Sequence, residues 1–283
     1  MQPIAIVGPG AADLATALTD RLDGRTAVVA RPESDLGESL AGDEATDGGV
    51  AVEAPENRPD ADTEVTLEES GEWTGRGSVD GLDAFLDGLA PDHDYLVGVG
   101  DSRLRVPTLL LGADAEAEDV PGTVIAAADE PEGVDLNNLV ANLDAAEPWI
   151  TRETLVRRVE ASADADRAGA VATFTGRVRA RDAPDDDRTT HLGFEKYEGV
   201  AAERMDAIET ELTERDGVFD VRMHHRTGVI EAGEDIVFVV VLAGHRREAF
   251  RTVEDGIDRL KDEVPIFKKE ATEAEEFWVH RRD

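Results

Sequence analysis

Four lysines occur in this chain of 283 residues, against 25 arginines, and three of the four, Lys261, Lys268 and Lys269, lie within nine residues. Lysine is the basic side chain that can lose its proton and attack a carbonyl; arginine cannot. A chain that avoids lysine elsewhere and keeps KDEVPIFKK is expected to use that segment for chemistry. Further basic residues stand at the ends of apolar runs: Arg177 and Arg179 in TFTGRVR, His225-Arg226 before Thr227-Gly228, and Ala243-Gly244-His245-Arg246. His245 and Arg246 are expected at a helix N-terminus, where free amides and the helix dipole favour an anion such as a phosphate. Arg179, at the end of a strand, offers a planar fork to the same kind of group. Two or three cations in one pocket depress each other's pKa and free an amine for nucleophilic or acid–base work.

Metal and thiol chemistry have no support. There is no cysteine, so no disulfide, thiolate site or cysteine nucleophile is available. The six histidines show no zinc-like spacing. His224 and His225 are strand neighbours and face opposite ways, so they make no chelate.

The net charge is −35, which excludes a generic nucleic-acid or anionic-membrane binder. An acid-coated, lysine-poor surface suits a salt-saturated cytoplasm, where screening shortens charge repulsion, and predicts a halophilic source and loss of fold at low salt. The charge is uneven. Residues 1–150 hold 7 basic and 33 acidic residues, and residues 151–283 hold 22 and 31. The second half has kept its positive side chains, which suits an anionic substrate or an acidic partner tail. No apolar run approaches the roughly 20 residues of a membrane span, and MQPIAIVGPG reads as a strand and not a signal peptide, so a cytoplasmic protein is expected.

The elements that must position these residues fall into two expected domains, 1–147 and 148–283. In the first, Pro3–Val7, Thr26–Ala30, Tyr95–Val99, Thr108–Leu111 and Thr123–Ala126 read as buried strands. Leu14, Leu18 and Leu22, then 82–89 and 135–143, read as helices, which makes an α/β domain with a parallel sheet. Residues 31–78 read as loop. In the second, Val171–Arg179, Leu192–Tyr197, Val218–Thr227, Ile236–Ala243 and Phe277–Val279 read as strands. Ala201, Met205, Ile208 and Leu212 mark one helix, and Phe250, Val253, Ile257, Leu260 and Val264 an apolar stripe on another. Strands without regular crossover helices indicate α+β.

The opening Gly8-Pro9-Gly10-Ala11-Ala12-Asp13-Leu14-Ala15 has the outline of a phosphate-binding loop, G-x-x-x-x-G-K-[ST], but Asp13, Leu14 and Ala15 replace the second glycine, the lysine and the magnesium-binding hydroxyl. It is read as a degenerate P-loop-like turn that binds no cofactor. With Gly81–Gly112, this half resembles the molybdopterin-guanine dinucleotide biosynthesis protein B (MobB) family, a nucleotide-binding adaptor, as a copy kept for stability or partner docking.

Taken in order, FTGRVR, the HR-x-G block with its Gly233-Glu234-Asp235 turn, His245-Arg246 after the apolar strand, and LK…P-x-x-KKEAT…W closely resemble the molybdopterin synthase catalytic (large) subunit, the MoaE family, over about 150–283. The resemblance implies sulfur transfer from the thiocarboxylated tail of a ubiquitin-like small subunit to a cyclic pyranopterin monophosphate, giving the molybdopterin dithiolene. It implies catalytic roles for Lys261 and Lys268, and substrate binding by Arg179, His245, Arg246 and Arg282. It also implies a homodimer within a heterotetramer, in which the phosphate pocket takes His245 and Arg246 from the neighbouring protomer. An activated tail beside a free lysine could also form an isopeptide bond. Phe267 stands where the family has tryptophan, and the acidic loop 180–190 is longer than the family's. Two other readings stay open: a non-catalytic docking module for a ubiquitin-like protein, and a nucleotide-dependent adaptor, which Leu14 and Ala15 oppose.

Overall fold

In a computed structural model the chain divides into two compact units, Met1–Leu89 with His93–Pro148, and Ala90–Asp92 with Trp149–Asp283. The structure describes residues 1–30, 62–113, 115–181, 183, 186–197, 199–272 and 276–279.

The first unit runs β1 (Gln2–Val7), α1 (Ala11–Thr19), β2 (Thr26–Ala30), β3 (Glu64–Leu67), β4 (Trp73–Arg76), α2 (Leu82–Leu89), β5 (Tyr95–Val99), β6 (Thr108–Leu111), β7 (Val124–Ala128) and α3 (Leu136–Ala145). Five strands form one parallel sheet in the order β2-β5-β1-β6-β7. The inner strands are apolar because both faces are covered. β2 is different. Its TAVVA sequence reads as a buried strand, yet it lies at the sheet edge and Val28 is 55% exposed. Composition is the same for a central and an edge strand; only the number of pairing partners separates them. Part of the segment expected as loop is an antiparallel hairpin, β3 with β4, while residues 31–61 lie outside the described residues.

The turn into α1 shows what its glycines are for. Gly8 has φ 121°, and a Cβ there would lie 2.0 Å from the Leu111 carbonyl oxygen. Leu14 and Ala15 are buried in the core and Asp13 is exposed. Close packing of the turn on β6 therefore accounts for Gly8, and the position of the P-loop lysine is a core leucine.

The second unit runs α4 (Arg152–Glu160), β8 (Ala170–Arg177), β9 (Thr189–Lys196), α5 (Val200–Thr213), β10 (Val218–His225), β11 (Gly228–Glu231), β12 (Asp235–Ala243), α6 (Arg246–Glu263), β13 (Ile266–Thr272) and β14 (Glu276–Val279). Two antiparallel sheets, β10-β12-β8 and β11-β9-β13-β14, carry it. β12 is apolar on both faces because each face has its own core. Val237, Val239, Val241 and Ala243 pack with α5 and α6, and Phe238, Val240 and Leu242 pack with α4. α6 buries Ala249, Val253, Gly256, Ile257 and Leu260. A Cβ on Gly256 would stand 3.0 Å from Val239, so glycine there sets how closely helix and sheet approach. Phe250 does not belong to the buried stripe; it is 66% exposed, one residue and so about 100° round the helix from Ala249. Val264 caps α6 and Pro265 follows.

Candidate active site

A cavity of about 350 Å³ opens in the second unit, where the carboxyl end of α6 meets the β9–β13 pair and the start of β12. Its volume suits a small ligand. The lining combines an apolar floor (Leu192, Phe194, Ile236, Val237, Ile257, Leu260, Val264 and Ile266) with Arg177, Arg179, His225, Lys261, Lys268 and Glu270.

Local periodicity explains most of these placements. β13 pairs with β9 so that Lys268 is opposite Phe194 and Glu270 opposite Leu192. Alternation then puts Ile266, Lys268 and Glu270 on the face shared by Leu192 and Phe194. Lys269 and Phe267 belong to the other face, where the Phe267 ring meets Tyr197 edge-on at 5.6 Å. The lysine cluster of the sequence is therefore split: Lys261 and Lys268 line the cavity and Lys269 does not. On α6, Ile257, Leu260 and Lys261 fall at i, i+3 and i+4 and share one side. Lys261 Nζ lies 6.0 Å from the Phe174 ring centroid, at the outer reach of a cation–π contact.

The polar groups are interlinked. Lys268 Nζ is 3.3 Å from Glu270 Oε2, and the Thr189 hydroxyl donates to Glu270 Oε1 at 2.7 Å. Arg177 pairs with Asp235 at 3.0 Å and donates to the Gly233 carbonyl. His225 Nδ1 is 2.7 Å from the Arg226 carbonyl, which can only accept, so the proton is on Nδ1. The His225 ring also meets Phe194 edge-on at 4.8 Å. Its neighbour His224 has its pKa held down to about 3, first by burial and then by Lys196, Arg226, His225 and Arg158, and stays neutral. Among the described residues no group of three or more metal-ligating side chains converges.

Three of the expected site residues, Arg179, Lys261 and Lys268, come together here. Arg179 is expected at a strand end, but β8 stops at Arg177 and leaves Arg179 two residues beyond it. His245 and Arg246 do not line the cavity. His245 is the N-cap of α6 and Arg246 its first residue, both exposed, and the helix rise sets Arg246 about 22 Å from Lys261 along the axis. Arg282 lies outside the described residues. Arg177 and His225, noted at the ends of apolar runs but given no role, also reach the cavity, as does Glu270, which the sequence reading does not put forward. The two-residue spacing of Glu270 from Lys268 becomes a signal only once the segment is known to be the strand β13. Arg177 had one too, as the partner of Arg179 in TFTGRVR.

Residues 149–263 match the family model described as MoaE protein. A "Probable molybdopterin synthase" of Haloferax volcanii is 52% identical over 283 residues, the whole of both chains, so it shares the first unit as well. A "Molybdopterin synthase catalytic subunit" of Pyrococcus abyssi is 37% identical over 111 residues, 39% of this chain and 74% of that one. The crystal structure of molybdopterin synthase from Staphylococcus aureus superposes with a TM-score of 0.42 at 31% identity, over 48% of this chain and 93% of that one. Among the described residues no helix is long and apolar enough to cross a membrane. With more than half of all positions shared with a full-length relative, the chain belongs to the molybdopterin synthase family, and its second unit carries the MoaE region.

Proposed function

We propose that the chain is the sulfur-transferring catalytic subunit of molybdenum cofactor biosynthesis, acting on a cyclic pyranopterin monophosphate with a thiocarboxylated, ubiquitin-like small subunit as sulfur donor. The observation that carries this reading is the meeting of Lys261 and Lys268, from the end of α6 and from β13, with the sequence-distant Arg179 over an apolar floor. An anionic, planar heterocycle needs such a lining: apolar surface for the ring and fixed cations for phosphate and thiocarboxylate. Lys268 orients and polarises the transferring group. Lys261 exchanges protons with it or serves as its transient covalent partner. The His245 and Arg246 end of α6 serves the pocket of a neighbouring protomer in a homodimer, and Arg282 joins the substrate contacts. The assembly is a heterotetramer with one small subunit per catalytic chain. The first unit is a MobB-like domain without nucleotide chemistry, kept for stability or docking.

The test is a high-salt assay with pyranopterin monophosphate and thiocarboxylated small subunit, scoring dithiolene product by mass. Product is expected from the wild type. Lys261→Ala should lower the rate by at least about 10²-fold while small-subunit binding persists. Full activity in that variant would remove Lys261 from the mechanism. A stable complex that makes no product would identify a docking module.

A further inference from the structure

The β9–β13 ladder contains an irregularity beside the cavity. From Ile266 to Ala271 the pairing is regular, with Glu270 opposite Leu192 and Ala271 opposite His191, but Thr272 pairs with Thr189 and not with Thr190. The extra residue is visible in burial. Phe194 and Leu192 are buried at the normal two-residue interval, Thr190 is exposed, and Thr189 is buried at 5% exposure. A regular strand would turn Thr189 to the face opposite Leu192. The bulge rotates it onto the cavity side, which is a recurrent use of bulges near active sites. The displaced segment is pinned: the Thr190 hydroxyl donates to the Ala271 carbonyl at 3.1 Å, and the Thr189 amide donates to the Ala180 carbonyl at 2.9 Å.

We propose that Thr189 is a positioning residue for Lys268, acting through Glu270, and that the bulge exists to supply it. Glu270 uses its two oxygens separately, Oε1 for the Thr189 hydroxyl at 2.7 Å and Oε2 for the Lys268 ammonium at 3.3 Å. The terminal torsion of a glutamate is broad and roughly two-fold. A hydroxyl on one oxygen fixes that torsion and hence the place of the other oxygen. Lys268 is thereby held as a fixed cation and not as a swinging chain, while Lys261, on a different element, is left for proton or acyl exchange. This rests on the reading that Lys268 acts on the reactants, since a held cation matters to catalysis only if a reacting anion meets it.

The test compares Thr189→Val, which keeps the shape and removes the donor, with Thr189→Ser, which keeps the donor, in the full chain assembled with its small subunit at high salt. Thr189→Val is expected to lower kcat by about ten-fold with KM for the pyranopterin within about two-fold, and Thr189→Ser to stay within about two-fold of wild type. A second readout does not need sulfur transfer. Acetic anhydride labelling of lysines is followed by peptide mass at one fixed pH. Lys268 should label several-fold faster in Thr189→Val and in Glu270→Gln, because an amine released from its carboxylate partner is more open to the reagent. Lys261 should be unchanged. Wild-type kcat in Thr189→Val, equal losses in the valine and serine variants, or Lys268 labelling indifferent to Thr189 would each overturn the proposal. A wild type that makes no product while Lys268 labelling still depends on Thr189 would sink the sulfur-transfer reading and leave the relay standing.

Discussion

The turn Gly8–Gly10 that leads from β1 into α1 and the turn Gly244–His245 that leads from β12 into α6 share one plan, a strand feeding a helix N-terminus. Their side chains do opposite things. The first turn of α1 sends Ala11, Leu14 and Ala15 into the core and exposes Asp13, whose charge repels an anion. Pro131 also crowds the approach, since a Cβ on Gly10 would lie 2.4 Å from its Cγ. The first turn of α6 exposes His245, Arg246 and Arg247. Every helix N-terminus offers free amides, so the amides do not separate these two. The flanking side chains do, and only the second turn is dressed for an anion.

The largest effect that could break this contrast is on activity. Arg246→Ala should lower product formation by about 10–100-fold, the worth of a charge-assisted contact, while Asp13→Ala in α1 should change it by less than about two-fold. Because Arg246 and Lys261 stand at opposite ends of α6, co-refolding Arg246→Ala with Lys261→Ala chains should recover roughly a quarter of wild-type activity, from mixed dimers with one intact composite pocket. No recovery would detach the His245–Arg246 end from a neighbour's site.

A smaller effect sharpens the same contrast through stability. Gly8→Ala must fit a Cβ against the Leu111 carbonyl at a positive φ and should cost about 2–4 kcal/mol in denaturant titrations at high salt. At Gly244 the nearest atom to an added Cβ is Phe219 Cζ at 3.6 Å, an ordinary contact, and Gly244→Ala should change stability by less than about 1 kcal/mol. Comparable costs at both would show that the α1 turn is not the more tightly packed one.

The smallest effect concerns the scaffold beside α6. Glu209 on α5 accepts the Met223 amide at 2.5 Å. Burial pushes its pKa up to about 7, against the opposing pull of that amide and of Arg222. A carboxylate whose folded pKa is raised contributes stability at low pH that is lost as pH rises through the folded value. Wild type should therefore lose roughly 1–3 kcal/mol from this group between about pH 4.5 and 7, a slope that Glu209→Gln removes. Parallel pH–stability curves for the two proteins would rule out the raised pKa.

Legibility in the sequence followed how local each feature was. The strands at Tyr95–Val99 and Thr108–Leu111, the helix at Leu82–Leu89 and the register of Ala201, Met205, Ile208 and Leu212 were readable because periodicity alone defines them. The helix α4, RETLVRRVE, was not read: it buries only Thr154, Leu155 and Val159 among charged residues. β13, IFKKEAT, looks like loop because its polar residues fall on both faces, and pairing with β9 and β14 makes it a strand. β11 is four residues long and carries little signal.

The sequence by itself determined the residue inventory: a lysine-poor, acid-rich chain that concentrates its amines near Lys261 and Lys268, and four ordered blocks that name the family. Only the tertiary structure decided which of those residues meet. Alternation on β13 parts Lys268 from Lys269, the length of α6 parts Arg246 from Lys261, and a bulge 81 residues away in sequence brings Thr189 to Glu270. The physical reason is that periodicity is a property of a few consecutive residues. Register, bulges and cavity walls depend on partners that the chain reaches only after it has folded.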